Sequence, residues 1–430
     1  MRLITETAEL RDFCASLAKA RFVTVDTEFM RERTYWPILC LVQLGGPEDA
    51  AAVDAQAEGI DLAPVYELMR NDAVLKVFHA ARQDLEIFFR NMGDMPKPVF
   101  DTQVAGMVCG FGDQAAYDTL AAKLAKAHID KSSRFTDWSR RPLSERQLQY
   151  AIADVTHLRV VYEKLAAKLE RNRRRDWLGE EMALLTDPDT YSTDPREAWR
   201  RLKPRAPSQK LLRVLREIAD WREREAQRVD VPRNRILRDE SVLEIAAHAP
   251  TSAEELARTR GLSRGMVEGK QGAAILAAVQ RGLESKETIE IDRPANGQRI
   301  VAPPAVSDML KVLLKLKCDQ EGVAPKLVAS ARDVEMIAAD DNADVPALHG
   351  WRRAIFGEDA LRLKHGRLGL VIRDQAGCAA PAARSGSQRP WRGEAPCAAA
   401  GRAHRRRDCR PAAAPYRCAA PQPPTRPRSG

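Results

Sequence analysis

Residues 20–29 read ARFVTVDTEF, an apolar run rich in β-branched side chains that ends in two acids. Such a run predicts a short buried strand. Asp26 and Glu28 lie two residues apart, so both carboxylates project from the same face of that strand. Two carboxylates on one buried face repel each other unless a cation lies between them. The segment therefore predicts a metal site at the end of a central strand or, as the alternative, a solvated strand end.

The sequence around this segment alternates between strand-like and helix-like stretches. Strands are predicted at 38–46 (ILCLVQLGG), 50–55 (AAAVDA) and 74–80 (VLKVFHA), and helices at 82–93 and 144–172. The first helix ends at a glycine, and the second begins at Ser144, a residue type that caps helix N-termini. This alternation is typical of an α/β domain with a mixed sheet, which we predict for residues 1–185.

The second half of the chain is predicted to be helical. Residues 186–207 are dense in Pro, Asp, Ser and Thr, which predicts a linker. Beyond it, residues 230–248 align without gaps with 322–340, and each copy follows an amphipathic stretch. This weak repeat predicts two small all-α domains, at 208–288 and 300–375.

The bulk composition is that of a globular chain. At 430 residues, roughly two to four domains are expected. The chain has no apolar run of the roughly 18 residues that a membrane helix needs, and we expect no membrane association. The N-terminus lacks the basic-then-apolar pattern of a signal peptide, so a cytoplasmic location is expected. The eight cysteines are scattered singly, which predicts reduced thiols that bind no metal.

The positive charge of the chain is confined to its C-terminus. Residues 376–430 hold 11 Arg and two acids and therefore supply the whole net charge of +9. This tail contains no Leu, Ile, Val, Met or Phe, which predicts disorder. It follows GRLGLVIRDQ (366–375) abruptly, so one hypothesis is translation out of the ancestral reading frame. A functional basic RNA-binding tail is the alternative.

Two further segments carry acids in suggestive positions. Asp84 lies near the start of the helix at 82–93, where an acid is also favoured by the helix dipole alone. Tyr150 and Asp154 are four residues apart and hence share one helical face, a spacing that also arises by chance. Each signal is weak when taken alone, so the prediction of a site depends on their combination with Asp26 and Glu28.

Four carboxylates and one phenol suit phosphodiester hydrolysis assisted by two divalent cations. Mg²⁺ and Mn²⁺ prefer carboxylate and water oxygens, so Asp26, Glu28, Asp84 and Asp154 are the predicted metal ligands. A phenol with a pKa near 10 is a poor base at neutral pH. We therefore expect Tyr150 to orient the attacking water by a hydrogen bond.

With these residues in place, the chain closely resembles the ribonuclease D family, in the tyrosine subclass of the DEDD exonucleases. DTEF (26–29), HAARQDL (79–85) and YAIAD (150–154) resemble the three exonuclease motifs of that family in order and spacing. The resemblance extends from residue 1 to about 375. WREREAQRVDVPRNRIL (221–237) is the part of the helical repeats that most resembles HRDC domains, which bind nucleic acid.

The resemblance implies a ribonuclease H-like α/β fold followed by two HRDC-like domains. It also implies hydrolysis of RNA from a free 3′ hydroxyl to 5′-mononucleotides, with tRNA precursor 3′ ends as substrate. No obligate protein partner is implied. Two rival functions remain open at this stage: a DNA 3′→5′ exonuclease of the proofreading type, and a non-catalytic RNA-binding scaffold.

Several secondary candidates have a structural as well as a functional interpretation. His79 could touch substrate or metal, but a buried, hydrogen-bonded histidine is the favoured interpretation. Asp101 could belong to the site or cap the next helix, and Trp138 could stack on a base or pack internally. The basic residues 172–176, Arg233 and Arg235 could each contact phosphates or lie on solvated helix surfaces.

Overall fold

The strand predicted from residues 20–29 lies inside a six-stranded mixed sheet. The structure is a computed structural model that describes residues 1–134, 136–192, 194–204, 207–290, 302–373 and 376–381. The sheet strands are β1 (Arg2–Ile4), β2 (Phe22–Met30), β3 (Ile38–Gly45), β4 (Ala50–Asp54), β5 (Leu75–Phe78) and β6 (Val99–Asp101). They are ordered β1-β4-β3-β2-β5-β6.

Strand β2 joins the antiparallel and the parallel part of this sheet. It pairs antiparallel with β3 and parallel with β5, and β3 continues antiparallel to β4. The outer strands β1 and β6 pair parallel with β4 and β5. The predicted α/β class with a mixed sheet is confirmed. Strands β1 and β6 were not predicted, because three residues are too few to show a period of two.

Helices cover both faces of the sheet. They are α1 (Thr7–Leu17), α2 (Ala63–Arg70), α3 (Arg82–Met92), α4 (Thr102–Val108), α5 (Tyr117–Leu120), α6 (Glu145–Arg171) and α7 (Trp177–Leu185). Val23 and Val25 of β2 pack in the same core as residues of α1, α2 and α3. Thr24 points the other way and donates a hydrogen bond to the Val155 carbonyl of α6, at 2.8 Å. Alternating residues of β2 therefore face different helical layers.

Helix α6 begins where the sequence predicts. Ser144 accepts a hydrogen bond from the backbone of Gln147, and the Gln147 side chain accepts one from the Ser144 backbone. This reciprocal capping box satisfies two N–H groups that have no partner within the helix. The start of α6, and with it the position of Tyr150 and Asp154, is thus set by local sequence.

A first helical domain follows, with a core of its own. Its helices are α8 (Gln209–Arg228), α9 (Arg233–Ile236), α10 (Asp239–His248), α11 (Ala253–Leu256), α12 (Arg264–Glu268) and α13 (Lys270–Glu284). The stretch predicted as a linker, 186–207, is in part folded onto this domain. A 3₁₀ helix at Pro195–Arg201 places Trp199 in the core of the domain, 5% exposed.

The second helical segment repeats part of the first. Its helices are α14 (Pro304–Glu321), α15 (Pro325–Val328), α16 (Ala331–Ala339), α17 (Gly350–Arg352) and α18 (Glu358–Lys364), with π-helical residues at Arg353–Gly357. Helices α15 and α16 recur 92 residues after α9 and α10, at the offset of the sequence repeat. Unlike the first domain, this segment shares one hydrophobic core with the catalytic region, in which Leu313 and Phe356 accompany Leu165 of α6.

The last residues that the structure describes form a hairpin. Strand β7 (Leu368–Arg373) pairs antiparallel with β8 (Ala376–Pro381). Residues 376–381, which the sequence assigned to a disordered tail, are therefore strand, and the rest of that prediction, 382–430, lies outside the described residues. Within the described part of the chain, no helix combines the length and the apolar character needed to cross a membrane.

Candidate active site

Three of the predicted acids come together where β2 meets α6. Oxygen atoms of Asp26, Glu28 and Asp154 all lie within 4.8 Å of one another. Asp26 and Glu28 occupy the same side of β2 as Thr24, which is hydrogen-bonded to the α6 backbone at Val155. This contact between β2 and α6 places Asp154 beside the two strand acids, although 126 residues separate it from Glu28 in the sequence.

Asp84 approaches the cluster from the other helical layer. It lies in the first turn of α3, as predicted, and is 6% exposed. Its Oδ1 accepts a hydrogen bond from the Thr27 hydroxyl at 2.5 Å, which ties α3 to β2 beside Asp26. Asp84 is not one of the three acids that approach each other within 4.8 Å, but the charge of Asp26 raises its pKa, and its own charge raises the pKa of Glu28.

Tyr150 lies one helical turn before Asp154 on α6 and lines the same cleft. A hydrogen bond from its phenol lowers the pKa of Asp154. Burial, and then the negative charge of Asp154, raise the pKa of Tyr150 itself, so the phenol stays protonated and can donate its proton in a hydrogen bond. Trp138 packs against Tyr150 with ring centroids 6.2 Å apart and is 2% exposed. The packing interpretation of Trp138 is confirmed.

Without a cation, the environment of the cluster disfavours the ionised form of all four acids. Burial first, and then the charge of Asp154, raise the pKa of Asp26 well above its ordinary value. Burial and then Asp26 do the same for Asp84. Burial and the neighbouring acids raise the pKa of Glu28 to about 10, and burial raises that of Asp154 to about 7. A bound cation would reverse these shifts, because opposite charge favours the ionised form.

The donor set fits a hard divalent cation. All of the clustered groups are carboxylates, which are the ligands that Mg²⁺ and Mn²⁺ prefer. Asp154 Oδ1 is buried and has no hydrogen-bond partner in the structure. A buried oxygen without a partner is costly, so it requires an explanation. Coordination of a divalent cation by Asp154 supplies one.

The acids lie in a cleft of about 830 Å³, whose other lining residues include His79 and Tyr117. The His79 ring is hydrogen-bonded through Nδ1 to Thr102 Oγ1, at 3.0 Å, and burial lowers its pKa. The hydrogen bond predicted for His79 is present, but the side chain is half-buried and lines the cleft, so its contact with substrate stays a prediction. Asp101 caps α4 by accepting bonds from the backbone of Gln103 and Val104, which confirms its capping role. It also accepts bonds from the backbone N–H groups that precede α3.

Two residues of the cleft were not predicted from the sequence. The Tyr117 hydroxyl donates to the Asp154 carbonyl oxygen at 2.5 Å and so fixes the backbone of α6 at the site. Arg134 lines the cleft, and its positive charge lowers the pKa of both Glu28 and Asp154. Neither has a spacing that links it to the acids, because Tyr117 begins the four-residue helix α5, which is too short to show a period, and Arg134 lies in a connection.

The basic residues proposed as phosphate contacts have mixed outcomes. Arg174 is not solvated: its side chain is 13% exposed and pairs with Glu321 of α14, at 3.0 Å. Arg175 is exposed and pairs with Glu170. Arg233 pairs with the buried Glu223 at 2.9 Å, whereas Arg235 is exposed on α9. Of these residues, Arg174 and Arg233 hold parts of the chain together.

Comparison with known proteins agrees with this geometry. A family model described as "3'-5' exonuclease" matches residues 1–170, and one described as "HRDC domain" matches 212–279. Curated ribonuclease D proteins from Granulibacter bethesdensis and Nitrobacter hamburgensis are 54% and 53% identical to the chain. The alignments cover 86% of this chain and 94% and 97% of those proteins.

A solved structure is similar over the same extent. The crystal structure of Escherichia coli RNase D, described as an exoribonuclease involved in structured RNA processing, superposes with a TM-score of 0.70 at 28% identity. The superposition covers 85% of this chain and 98% of that one. The fold, the carboxylate cluster and these relatives lead to one conclusion. The chain belongs to the ribonuclease D family of 3′→5′ exoribonucleases.

Proposed function

We propose that the chain removes nucleotides from the free 3′ hydroxyl end of RNA with two divalent cations, releasing 5′-mononucleotides. The observation that carries this proposal is the cluster of Asp26, Glu28 and Asp154 at the floor of the cleft. With Asp84 on the opposite side of β2, four carboxylates are available as ligands. The candidate cations are Mg²⁺ and Mn²⁺.

In this proposal each side chain has a defined task. Asp26, Glu28, Asp84 and Asp154 hold the cations, which when bound stabilise negative charge on the attacking and leaving oxygens. Tyr150 keeps its proton and donates a hydrogen bond that orients the attacking water. Tyr117 holds the α6 backbone at Asp154, so that the distance between helix and strand acids is maintained.

The proposed substrate is the 3′ end of a tRNA precursor, trimmed in the cytoplasm without an obligate protein partner. Membership of the ribonuclease D family supports an RNA substrate. The HRDC match at 212–279 supports a module that contacts nucleic acid. We also propose that the segment from α14 to α18 is a second HRDC-like domain, since α15 and α16 repeat α9 and α10 at a constant offset.

The decisive experiment is incubation with a tRNA that carries extra 3′ nucleotides, in Mg²⁺, Mn²⁺ or chelator. We expect mononucleotides and a trimmed tRNA with a divalent cation and none with chelator. Asp26→Ala and Asp154→Ala should abolish turnover, whereas Asp12→Ala, at an exposed position on α1, should not. Turnover by either active-site variant would refute the mechanism.

The same assay separates the rival functions. Parallel digestion of RNA and DNA oligonucleotides of matched sequence tests the proofreading-type DNA exonuclease, which requires faster digestion of DNA. Binding of RNA without release of mononucleotides would favour the non-catalytic scaffold. RNA affinity measured after deletion of 382–430 tests the two hypotheses for the tail, because a large loss would contradict translation out of frame.

A further inference from the structure

The connection from β2 to β3 forms one wall of the active-site cleft. Residues 31–34, here called the cleft wall, directly follow the strand that carries Asp26 and Glu28, and all four line the cleft. At its start, Arg31 forms two hydrogen bonds to the Glu86 carboxylate of α3, at 2.8 and 2.7 Å. The cleft wall is thus anchored to the catalytic region at its first residue.

Its other end is held by the first helical domain. The backbone N–H groups of Tyr35 and Trp36 both donate to Asp230 Oδ1, at 3.1 and 3.0 Å. Asp230 follows α8 and has a φ of 50°, in the left-handed region that Asn, Asp and Gly adopt most readily. Two adjacent donors on one carboxylate oxygen fix the direction of the backbone where the cleft wall ends.

A buried contact reinforces this anchor. The Tyr35 side chain is 8% exposed and packs with Ala226 and Ile236 of the helical domain. Its phenol donates to the carboxylate of Glu223, which is fully buried and also pairs with Arg233. A buried carboxylate is stabilised by pairing and hydrogen bonding, so Tyr35 and Arg233 both stabilise Glu223 there.

We propose that the first helical domain contributes to RNA binding. Through Tyr35 and Asp230 it holds residues 31–34 in the position that receives the RNA strand. These two are positioning residues, because they act through the cleft wall and not on the reacting atoms. Arg33 is exposed on the wall and offers its charge to a phosphate. The inference rests on the proposed function, since it takes this cleft as the RNA-binding site.

Holding both ends of a short segment lowers the entropy that must be lost when a strand binds to it. The benefit therefore appears in the KM for RNA. A small phosphodiester such as bis(p-nitrophenyl) phosphate needs only the carboxylates, so its hydrolysis does not depend on the wall. This difference separates positioning of the wall from general support of the fold.

The test uses three variants of the full chain with Mn²⁺. Asp230→Gly tolerates the positive φ and removes the shared acceptor, and Asp230→Asn tolerates it and keeps an oxygen acceptor. Glu225→Gln is the matched control, because Glu225 pairs with Arg228 on the same helix and not with the cleft wall. For an oligoadenylate we expect Asp230→Gly to raise KM about tenfold with little change in kcat, since two hydrogen bonds to a charged group are lost.

Asp230→Asn should restore most of the RNA affinity, and Glu225→Gln should match the parent protein. All three should hydrolyse bis(p-nitrophenyl) phosphate at the parental rate. An unchanged KM for RNA in Asp230→Gly would overturn the proposal. Equal losses of activity towards RNA and towards bis(p-nitrophenyl) phosphate would also overturn the proposal. Failure of the proposed function is distinguishable, because the parent protein would then hydrolyse neither substrate.

Discussion

Replacing Asp154 by asparagine should stabilise the metal-free protein while it abolishes turnover. Asp154 is 6% exposed, and one of its buried oxygens has no hydrogen-bond partner. Asparagine has nearly the same shape but carries no charge. The substitution therefore removes the cost of a buried carboxylate that only a bound cation would offset.

The magnitude follows from the pKa of the group. Burial raises the pKa of Asp154 to about 7 in the folded protein, against about 3.9 in an unfolded chain. Each unit corresponds to about 1.36 kcal/mol, so the ionised carboxylate costs about 4 kcal/mol of stability. The native state binds the extra proton between these two pKa values, so stability falls as pH rises through this window. Loss of Asp154 also removes a charge that raises the pKa of Asp26 and Glu28, which acts in the same direction.

The assay is denaturant unfolding of parent and variant in chelator at several pH values. We expect equal stability near about pH 4 and a gap of about 4 kcal/mol in favour of Asp154→Asn above about pH 8. A divalent cation at about 1,000 times its Kd should close the gap, since a ligand at that excess stabilises the parent by about 4.1 kcal/mol. A variant that is no more stable than the parent at the higher pH would refute the reasoning.

Three further substitutions test other parts of the structure. Tyr150→Phe should lower kcat about tenfold to a hundredfold with little change in KM, because only the orienting hydrogen bond is lost, and steady-state kinetics on RNA will show it. Gly282→Ala should lower the free energy of unfolding by about 1–3 kcal/mol, because the new Cβ would meet the α8 backbone 2.5 Å away; Gly265→Ala, with open space around it, is the control in the same domain. Arg352→Ala should lower the free energy of unfolding by about 2–3 kcal/mol, because this buried guanidinium binds two glutamates of α7 and a backbone carbonyl. Arg353→Ala, at the exposed neighbouring position, should leave it nearly unchanged in the same denaturation assay.

The secondary structure of the catalytic region follows closely from local sequence. The run at 20–29 has the residue types of a buried strand, and α6 begins at a complete capping box on Ser144. Local signals fail where an element is short or where polar composition masks a buried anchor. Strands β1 and β6 hold three residues each. The stretch 186–207 looks like a linker, yet it buries Trp199 against the first helical domain.

The sequence by itself predicts which side chains share a face, because a spacing of two on a strand pairs Asp26 with Glu28 and a spacing of four on a helix pairs Tyr150 with Asp154. It could not determine how the two faces meet. The approach of Asp154 to Asp26, the tie between Thr27 and Asp84, and the charge of Arg134 all arise from contacts between distant segments.

Only the tertiary structure shows that the first helical domain contacts Tyr35 and Trp36, in the connection that forms a wall of the active-site cleft. From the sequence, Arg233 could contact a phosphate or lie on a solvated helix surface, whereas in the structure it pairs with Glu223, the partner of Tyr35. A charged side chain has the same local pattern whether it faces solvent, nucleic acid or another domain. Its partner is decided by the packing of segments that lie far apart in the chain, and that packing is a property of the whole fold.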